Sequence, residues 1–298
     1  MTTEVLTTIA AVRDALDGYR ADGRTVGFTP TMGYLHDGHG SLMRAADADT
    51  DVVVASIFVN PLQFAAGEDL ADYPRDFERD LELAAANGVD LLFHPPVEEM
   101  YPFGPVLTTV SVGEVSERWD GASRPTHFAG VATVVAKLFN IIGPCLAYFG
   151  DKDFQQLAVI RRMVEDLSIP VEVVGCPIVR EPDGLAMSSR NTYLSPEDRA
   201  AAIVLRRALD AGRAAHGAGT TDPTAVADAM TDVVAAEPRA VLDYVAVVDP
   251  TTLRTAEVVQ ASTRLLIAAT LGTTRLIDND AAGPTGPPAE PQPMETLS

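Results

Sequence analysis

The sequence predicts an α/β protein: a doubly wound, Rossmann-like parallel sheet over residues 1–180, then a smaller C-terminal α+β domain over 181–282. Three observations carry this. Through about residue 180, short apolar β-branched runs alternate with helical patterns, as expected of parallel strands covered on both faces. Beyond that point the order changes to two helices followed by three β runs, which form a separate layered unit. Finally, 298 residues with 47% hydrophobic and 21% charged side chains suffice for one large or two modest cores and exclude wholesale disorder.

Taken in order, residues 8–21 (TIAAVRDALDGYRA) predict a helix and 25–29 (TVGFT) a buried strand. Helices are expected over 39–48 and 75–87, with strands at 52–58 (VVVASIF) and 89–93 (VDLLF). The alternation continues with helix 130–142, strand 145–149, helix 154–167 and strand 171–176. Ser195-Pro196 is a strong helix start, with Ser195 as N-cap, and the helix is expected to run to about 215. A second helix is expected over 224–236, then strands at 241–248, 263–269 and 274–277. The final 16 residues, 283–298, hold five prolines and are expected to be disordered.

Charge narrows the function. Against 22 basic side chains stand 42 acidic ones, a net −20, which leaves little basic surface for nucleic acid or an anionic membrane. Lysine occurs only at 137 and 152, so a lysine inside a motif is poor surface filler. Cys145 and Cys176 form no CxxC pair and read as buried free thiols. The N-terminus has no basic, apolar leader pattern, and no apolar run reaches the ~20 residues of a membrane span, so a soluble cytoplasmic protein is expected.

Neither a GxxxxGK[ST] loop nor a GxGxxG turn follows the first strand. In their place stands PTMGYLHDGHGSL, residues 30–42. Here Met32-Gly33 turns the chain and His36-Asp37-Gly38-His39 opens a helix, with Gly38 expected to leave room for a ligand against the backbone. Two imidazoles three residues apart share one face beside free N–H groups and the positive helix end, a place to hold a triphosphate and stabilise charge on its α-phosphate. A lone HxxH is more often chance surface placement, and no third metal ligand stands near. Its position after the first strand, in a chain of five histidines, shifts the weight toward chemistry.

Four further segments fall at strand ends or near the domain boundary. SIFVNPLQF (56–64) sets Asn60 and Gln63 where strand 52–58 opens, although an Asn-Pro turn alone is usually only a polar loop. RPTHFAGV (124–131) offers Arg124 and His127 for an anion. YFGDKDFQQL (148–157) delivers Gly150, Asp151, Lys152 and Asp153, then Gln155 and Gln156 at a helix start, where a charge cluster is ordinarily a solvated cap. GLAMSSRNTYL (184–194) carries two hydroxyls and a guanidinium between the domains.

Together and in this order, over roughly residues 24–280, these segments resemble the pantoate–β-alanine ligase family within the His-x-Gly-His nucleotidyltransferases. The resemblance implies a ligase of pantothenate biosynthesis that activates D-pantoate with ATP as pantoyl adenylate, releases pyrophosphate and lets β-alanine displace AMP. It also implies Mg²⁺ and a homodimer. His39 and His36 become catalytic, with Lys152. The family's ATP contacts fall on Met32, Gly33, Tyr34, Leu35, His36, Asp37, Gly38 and His39, on Gly150 through Asp153, on Val179, and on Met187, Ser188, Ser189 and Arg190. Gln63 and Gln156 match the glutamines for pantoate, Gln63 also for β-alanine, with Asn60, Arg124 and His127 beside them. Asp80 falls at the family's metal-linked acidic position, where some relatives carry two adjacent acids and this chain has Arg79-Asp80. Two rivals stand beside this reading: a related nucleotidylyltransferase that transfers the nucleotide and stops, and an ATP-binding relative without catalysis.

Overall fold

The structure, a computed structural model, describes residues 3–64, 70, 73–104 and 106–284. Its first strand, β1 (Glu4–Leu6), was not expected, because three residues show no periodicity; it pairs in parallel with β4 (Leu91–Phe93) at the sheet edge. Between them lie α1 (Ile9–Ala21), β2 (Val26–Thr31), α2 (Asp37–Asp49), β3 (Val52–Ile57) and α3 (Phe77–Ala86). Then come the short α4 (Val97–Met100) and α5 (Asp120–Ser123), followed by α6 (His127–Ile142), β5 (Cys145–Gly150), α7 (Phe154–Asp166) and β6 (Val171–Cys176). All six strands are parallel, in the order β1-β4-β3-β2-β5-β6.

That order reverses direction between β2 and β5, and doubly wound sheets bind ligands at the carboxyl ends on either side of such a switch. The crevice is visible in the register. Pairing of β2 with β5 ends at Phe28↔Ala147, although the strands run on to Thr31 and Gly150. Both tips are thereby freed to face a ligand. Behind them, α6 buries apolar side chains on nearly every face, including Val131, Val135, Leu138 and Phe139, which explains its uninterrupted hydrophobic sequence.

The second sheet is an antiparallel meander of β7 (Ala240–Val248), β8 (Arg264–Leu271) and β9 (Thr274–Ala281). Helices α8 (Pro196–Ala201), α9 (Val204–Gly217) and α10 (Pro223–Ala235) precede it, and α9 and α10 pack Leu205, Leu209, Val226 and Met230 against it. Ser195 does cap this region, accepting from Asp198 N at 3.1 Å. The single helix expected to 215 is broken at Ala202–Ile203, where Leu205 N bonds back only to Ala202 O and tightens the turn. β9 also runs four residues past the expected end at Ile277, because its acidic residues are paired rather than solvated: Asp278 meets Arg180, and Asp280 meets Arg206 and Arg213. The other face of this meander shares the first sheet's core through Ala246, Val248, Leu253 and Leu266.

Cys145 and Cys176 are buried and free, and burial pushes their thiols up to about 12 and about 11. Among the described residues no helix is long and apolar enough to cross a membrane. Of the tail expected to be disordered, residues 285–298 lie outside the described residues, and Gly283 N still donates to Ala261 O at 3.0 Å.

Candidate active site

The two histidines after β2 are built into the start of α2. His36 is its N-cap, with Nδ1 accepting from Gly38 N at 3.1 Å, and His39 Nδ1 accepts from His36 N at 3.2 Å. This is a capping box made of imidazoles. A ring nitrogen that accepts from a backbone N–H carries no proton, so each neutral ring holds its hydrogen on Nε2 as a free donor. Burial holds both rings in that form: His36 is lowered to about 4 by burial and then Lys152, and His39 to about 3 by burial and then His36. Gly38 leaves room for the His36 ring as well as lining the cleft. A Cβ there would stand 2.8 Å from His36 Cε1 and Nδ1, so the space is taken by the folded imidazole.

The turn before α2 is held from below by Asp80. Its Oδ2 accepts from Tyr34 N at 2.7 Å and its Oδ1 from Leu35 N at 2.6 Å, while the carboxylate is only 1% exposed. Gly33 has φ 83° and Tyr34 φ 51°, and a Cβ on Gly33 would meet Asp80 Oδ2 at 2.9 Å. The structure therefore gives Asp80 a task beside the metal role expected of it: each of its oxygens accepts a backbone N–H and holds the turn. Among the described residues no group of three or more His, Cys, Asp or Glu side chains is placed to hold a metal ion.

The β5 tip continues into a 3₁₀ turn, Asp151–Asp153, and then α7. Lys152 Nζ stands 3.5 Å from Asp153 Oδ1. Burial raises the Asp153 carboxyl, but Lys152 and Arg190 outweigh it and hold it below the usual range. The paired glutamines divide. Gln155 is buried, with Oε1 accepting from Asp120 N and Nε2 donating to Val115 O and Arg118 O, whereas Gln156 faces the crevice.

From β3, Asn60 caps the 3₁₀ turn Pro61–Gln63. Its Nδ2 donates to Gln63 Oε1 at 3.2 Å and to Gly130 O at 3.1 Å, and its Oδ1 accepts from Tyr101 Oη at 2.8 Å. Gln63 Nε2 reaches Met32 Sδ at 2.7 Å, and Gln63 O meets His127 Nδ1 at 3.0 Å and Arg124 Nη2 at 3.4 Å. The Gln63 amide is thus held by Asn60 and Met32, and Arg124 and His127 lie against its backbone carbonyl on the cleft lining.

One cleft of about 890 Å³ gathers these groups. Met32, His36, Gly38, His39, Gln63, Arg124, His127, Gly150, Lys152, Asp153, Gln156, Val179, Met187, Ser188, Ser189 and Arg190 all line it. Gly33, Tyr34, Leu35, Asp37, Asn60, Asp80 and Asp151 do not. Leu35 is core, Asp37 is exposed beside a smaller depression, and Asn60 and Asp80 support residues that do line the cleft. Sequence reasoning missed the apolar wall of α6 (Val131, Val134, Val135, Leu138), Tyr73, and the β9 segment with Arg275. The all-round apolar pattern of 131–139 was the available signal for the wall; nothing local marked Arg275, whose guanidinium bridges Asp120 at 2.6 Å and Asp243 at 2.7 Å.

Comparisons with known proteins agree with one another. The family model for pantoate–β-alanine ligase matches residues 4–281. The pantothenate synthetase of Sinorhizobium medicae is 54% identical over 280 residues, 94% of this chain and 96% of its own. That of Heliobacterium modesticaldum is 57% identical over 258 residues, covering 87% and 92%. A crystal structure of the Thermus thermophilus pantothenate synthetase superposes with TM-score 0.90 at 51% identity, over 95% of this chain and all of that one. The Francisella tularensis pantoate–β-alanine ligase, solved as a complex with β-γ ATP and β-alanine, gives TM-score 0.76 at 31% identity, over 94% and 98%. With a match from the first strand to the last, this chain belongs to the pantoate–β-alanine ligase family.

Proposed function

We propose that the cleft condenses D-pantoate with β-alanine to pantothenate at the expense of ATP, through a pantoyl adenylate. The observation that carries this is the convergence, in one cleft at the sheet's switch point, of two kinds of donor. The neutral imidazoles of His36 and His39, with Lys152 and Arg190, suit phosphate oxygens; the amides of Gln63 and Gln156, beside the α6 wall, suit a small branched hydroxy acid. In the first step the pantoate carboxylate attacks the α-phosphorus, and the bond to the bridging oxygen breaks to release pyrophosphate. Nε2–H of each histidine and the positive end of α2 face the charge that develops there. In the second step the amine of β-alanine attacks the acyl carbon, AMP leaves with the bonding pair, and the amine loses its proton to solvent.

The groups just named are the catalytic and binding residues of this reading. Gly150, Asp153, Val179, Met187, Ser188 and Ser189 complete the ATP side, with Met32 and Gly38; Arg124 and His127 complete the acid side. Mg²⁺ would enter as part of a MgATP substrate and supply charge neutralisation on the phosphates, since among the described residues no group of three or more His, Cys, Asp or Glu is placed to hold it. The second sheet serves as a separate wall over the cleft, and Phe103 and Leu107, 96% and 95% exposed, give a homodimer an apolar surface to cover.

Pyrophosphate exchange tests the mechanism. With MgATP and labelled pyrophosphate, exchange should require D-pantoate and not β-alanine, and addition of β-alanine should yield pantothenate and AMP. His39→Ala removes one Nε2–H donor and should slow exchange by about 10²–10³-fold. Absolute dependence of exchange on β-alanine would overturn the adenylate route.

A further inference from the structure

The catalytic lysine of this reading sits on a turn that follows directly on the tip of β5, which stays paired with β6 as far as Gly150↔Cys176. The Asp151–Asp153 turn has no side-chain cap, and it hangs from the tip of β5 where that strand has parted from β2. Further support comes from the far end of the chain. Asn279 on β9 donates from Nδ2 to Asp151 O at 3.0 Å and to Lys152 O at 2.8 Å.

Asn279 is itself fully committed. It is 2% exposed, its Oδ1 accepts from Arg264 Nε at 2.7 Å, and its backbone N donates to Asp278 Oδ1 at 2.7 Å. Arg180 pairs with both oxygens of Asp278 and also donates to Asn279 O at 3.3 Å. Arg264 in turn stacks on Phe154, the first residue of α7, with its guanidinium carbon 4.3 Å from the ring centroid. The amide is therefore locked in one orientation, with both N–H groups aimed at the lysine turn. Burying a neutral amide at 2% exposure is costly unless its hydrogen bonds are made, and here every one of them is directed.

We propose that Asn279 is a positioning residue for Lys152: by holding the carbonyls of Asp151 and Lys152 it fixes the turn that aims the ammonium at the ATP phosphates. This rests on the assignment of Lys152 to ATP above. The acid side of the cleft, carried by Gln63 and Gln156, has no bond to Asn279 among those described.

The test uses the full chain in pyrophosphate exchange, varying ATP and D-pantoate separately. Asn279→Asp keeps the volume and the Arg264 bond but turns an acceptor toward two carbonyls. It should lower kcat/KM for ATP by about 10-fold or more, the cost of two lost hydrogen bonds, and leave the KM for D-pantoate within about twofold. In a Lys152→Ala background the same change should add almost nothing, because the group it positions is gone. Asn279→Ser carries the same measurements where the aspartate variant does not fold. Wild-type exchange in Lys152→Ala would overturn the lysine assignment and the proposal with it. A Lys152→Ala defect to which Asn279→Asp adds its full factor, or an equal rise in both KM values, would overturn the positioning role alone.

Discussion

Helix α6 approaches the Gln63 turn so closely that only glycine fits between them. A Cβ at Gly130 would stand 2.3 Å from Leu62 O, 2.5 Å from Leu62 C and 2.7 Å from Gln63 Cα. All three are backbone atoms, so Gly130→Ala has no flexible side chain to push aside. Restoring even a close C···O contact of about 3.3 Å requires the helix and turn to part by about 1 Å. The same movement stretches the bond from Asn60 Nδ2 to Gly130 O, now 3.1 Å, and so disturbs the amide that orients Gln63. Overpacking of this kind costs about 1–3 kcal/mol, while the alanine returns up to about 1 kcal/mol in helix propensity. The net loss of stability is therefore small, and the loss of function should be disproportionate. A 1 Å displacement of a positioning group can cost about 10²-fold, so kcat/KM for D-pantoate should fall by that order with the KM for ATP nearly unchanged. Steady-state kinetics with each substrate varied in turn, alongside a thermal melt, measure both. A melt lowered by several degrees with D-pantoate kinetics intact would refute the reasoning, since it would show the strain relaxing into α6 and leaving Gln63 in place.

The two lysines should behave oppositely. Lys152→Ala removes a cation from the cleft and is expected to cost about 10²–10³ in exchange rate, whereas Lys137, beside the Tyr101 ring and away from the cleft lining, should cost little when replaced by Ala. Because His36 and His39 are held at about 4 and about 3, neither should contribute an ionisation near the ordinary value of 6.5 to the exchange rate; an acid limb there that His39→Gln removes would mean that its imidazolium acts. Stability carries the matching signature. The unfolded chain takes up protons on these rings below about pH 6.5 and the folded protein does not, so stability is lost as pH falls from there toward 4 and 3. Urea midpoints measured across that range should fall less steeply for His39→Gln than for the wild type.

Much of this was legible in the sequence because local chemistry and global position coincide at the strand tips. Apolar β-type runs identified β2, β3, β5 and β6, and the histidine, amide and lysine segments follow three of those strands directly, so finding the strand found the site. What escaped the reading depends on partners distant in sequence. β9 was cut short because Asp278 and Asn279 look like a polar loop until Arg180 and Arg264 are seen to satisfy them. Asp80 was read from its place in a pattern, while its actual bonds run to backbone N–H groups 45 and 46 residues away. Gly38 lines the cleft as expected, but that its bare backbone also makes room for the His36 ring could not be read, because sequence places a residue and not the rotamer of its neighbour. Contacts between remote segments leave no periodic trace.

The imidazole capping box at the start of α2 has a consequence for affinity. A histidine that must swing into place around a ligand gives up rotamer freedom on binding, typically about 0.5–1.5 kcal/mol for each side chain immobilised. Here His36 and His39 have already surrendered that freedom, since their Nδ1 atoms are tied to the backbone of the helix they cap. The entropy was lost when α2 formed and was offset then by satisfying two of the helix's unpaired N–H groups. On the proposed assignment of these histidines to ATP, nucleotide would meet donors that are rigid before it arrives, and none of the interaction energy of the two Nε2–H groups would be spent on ordering them.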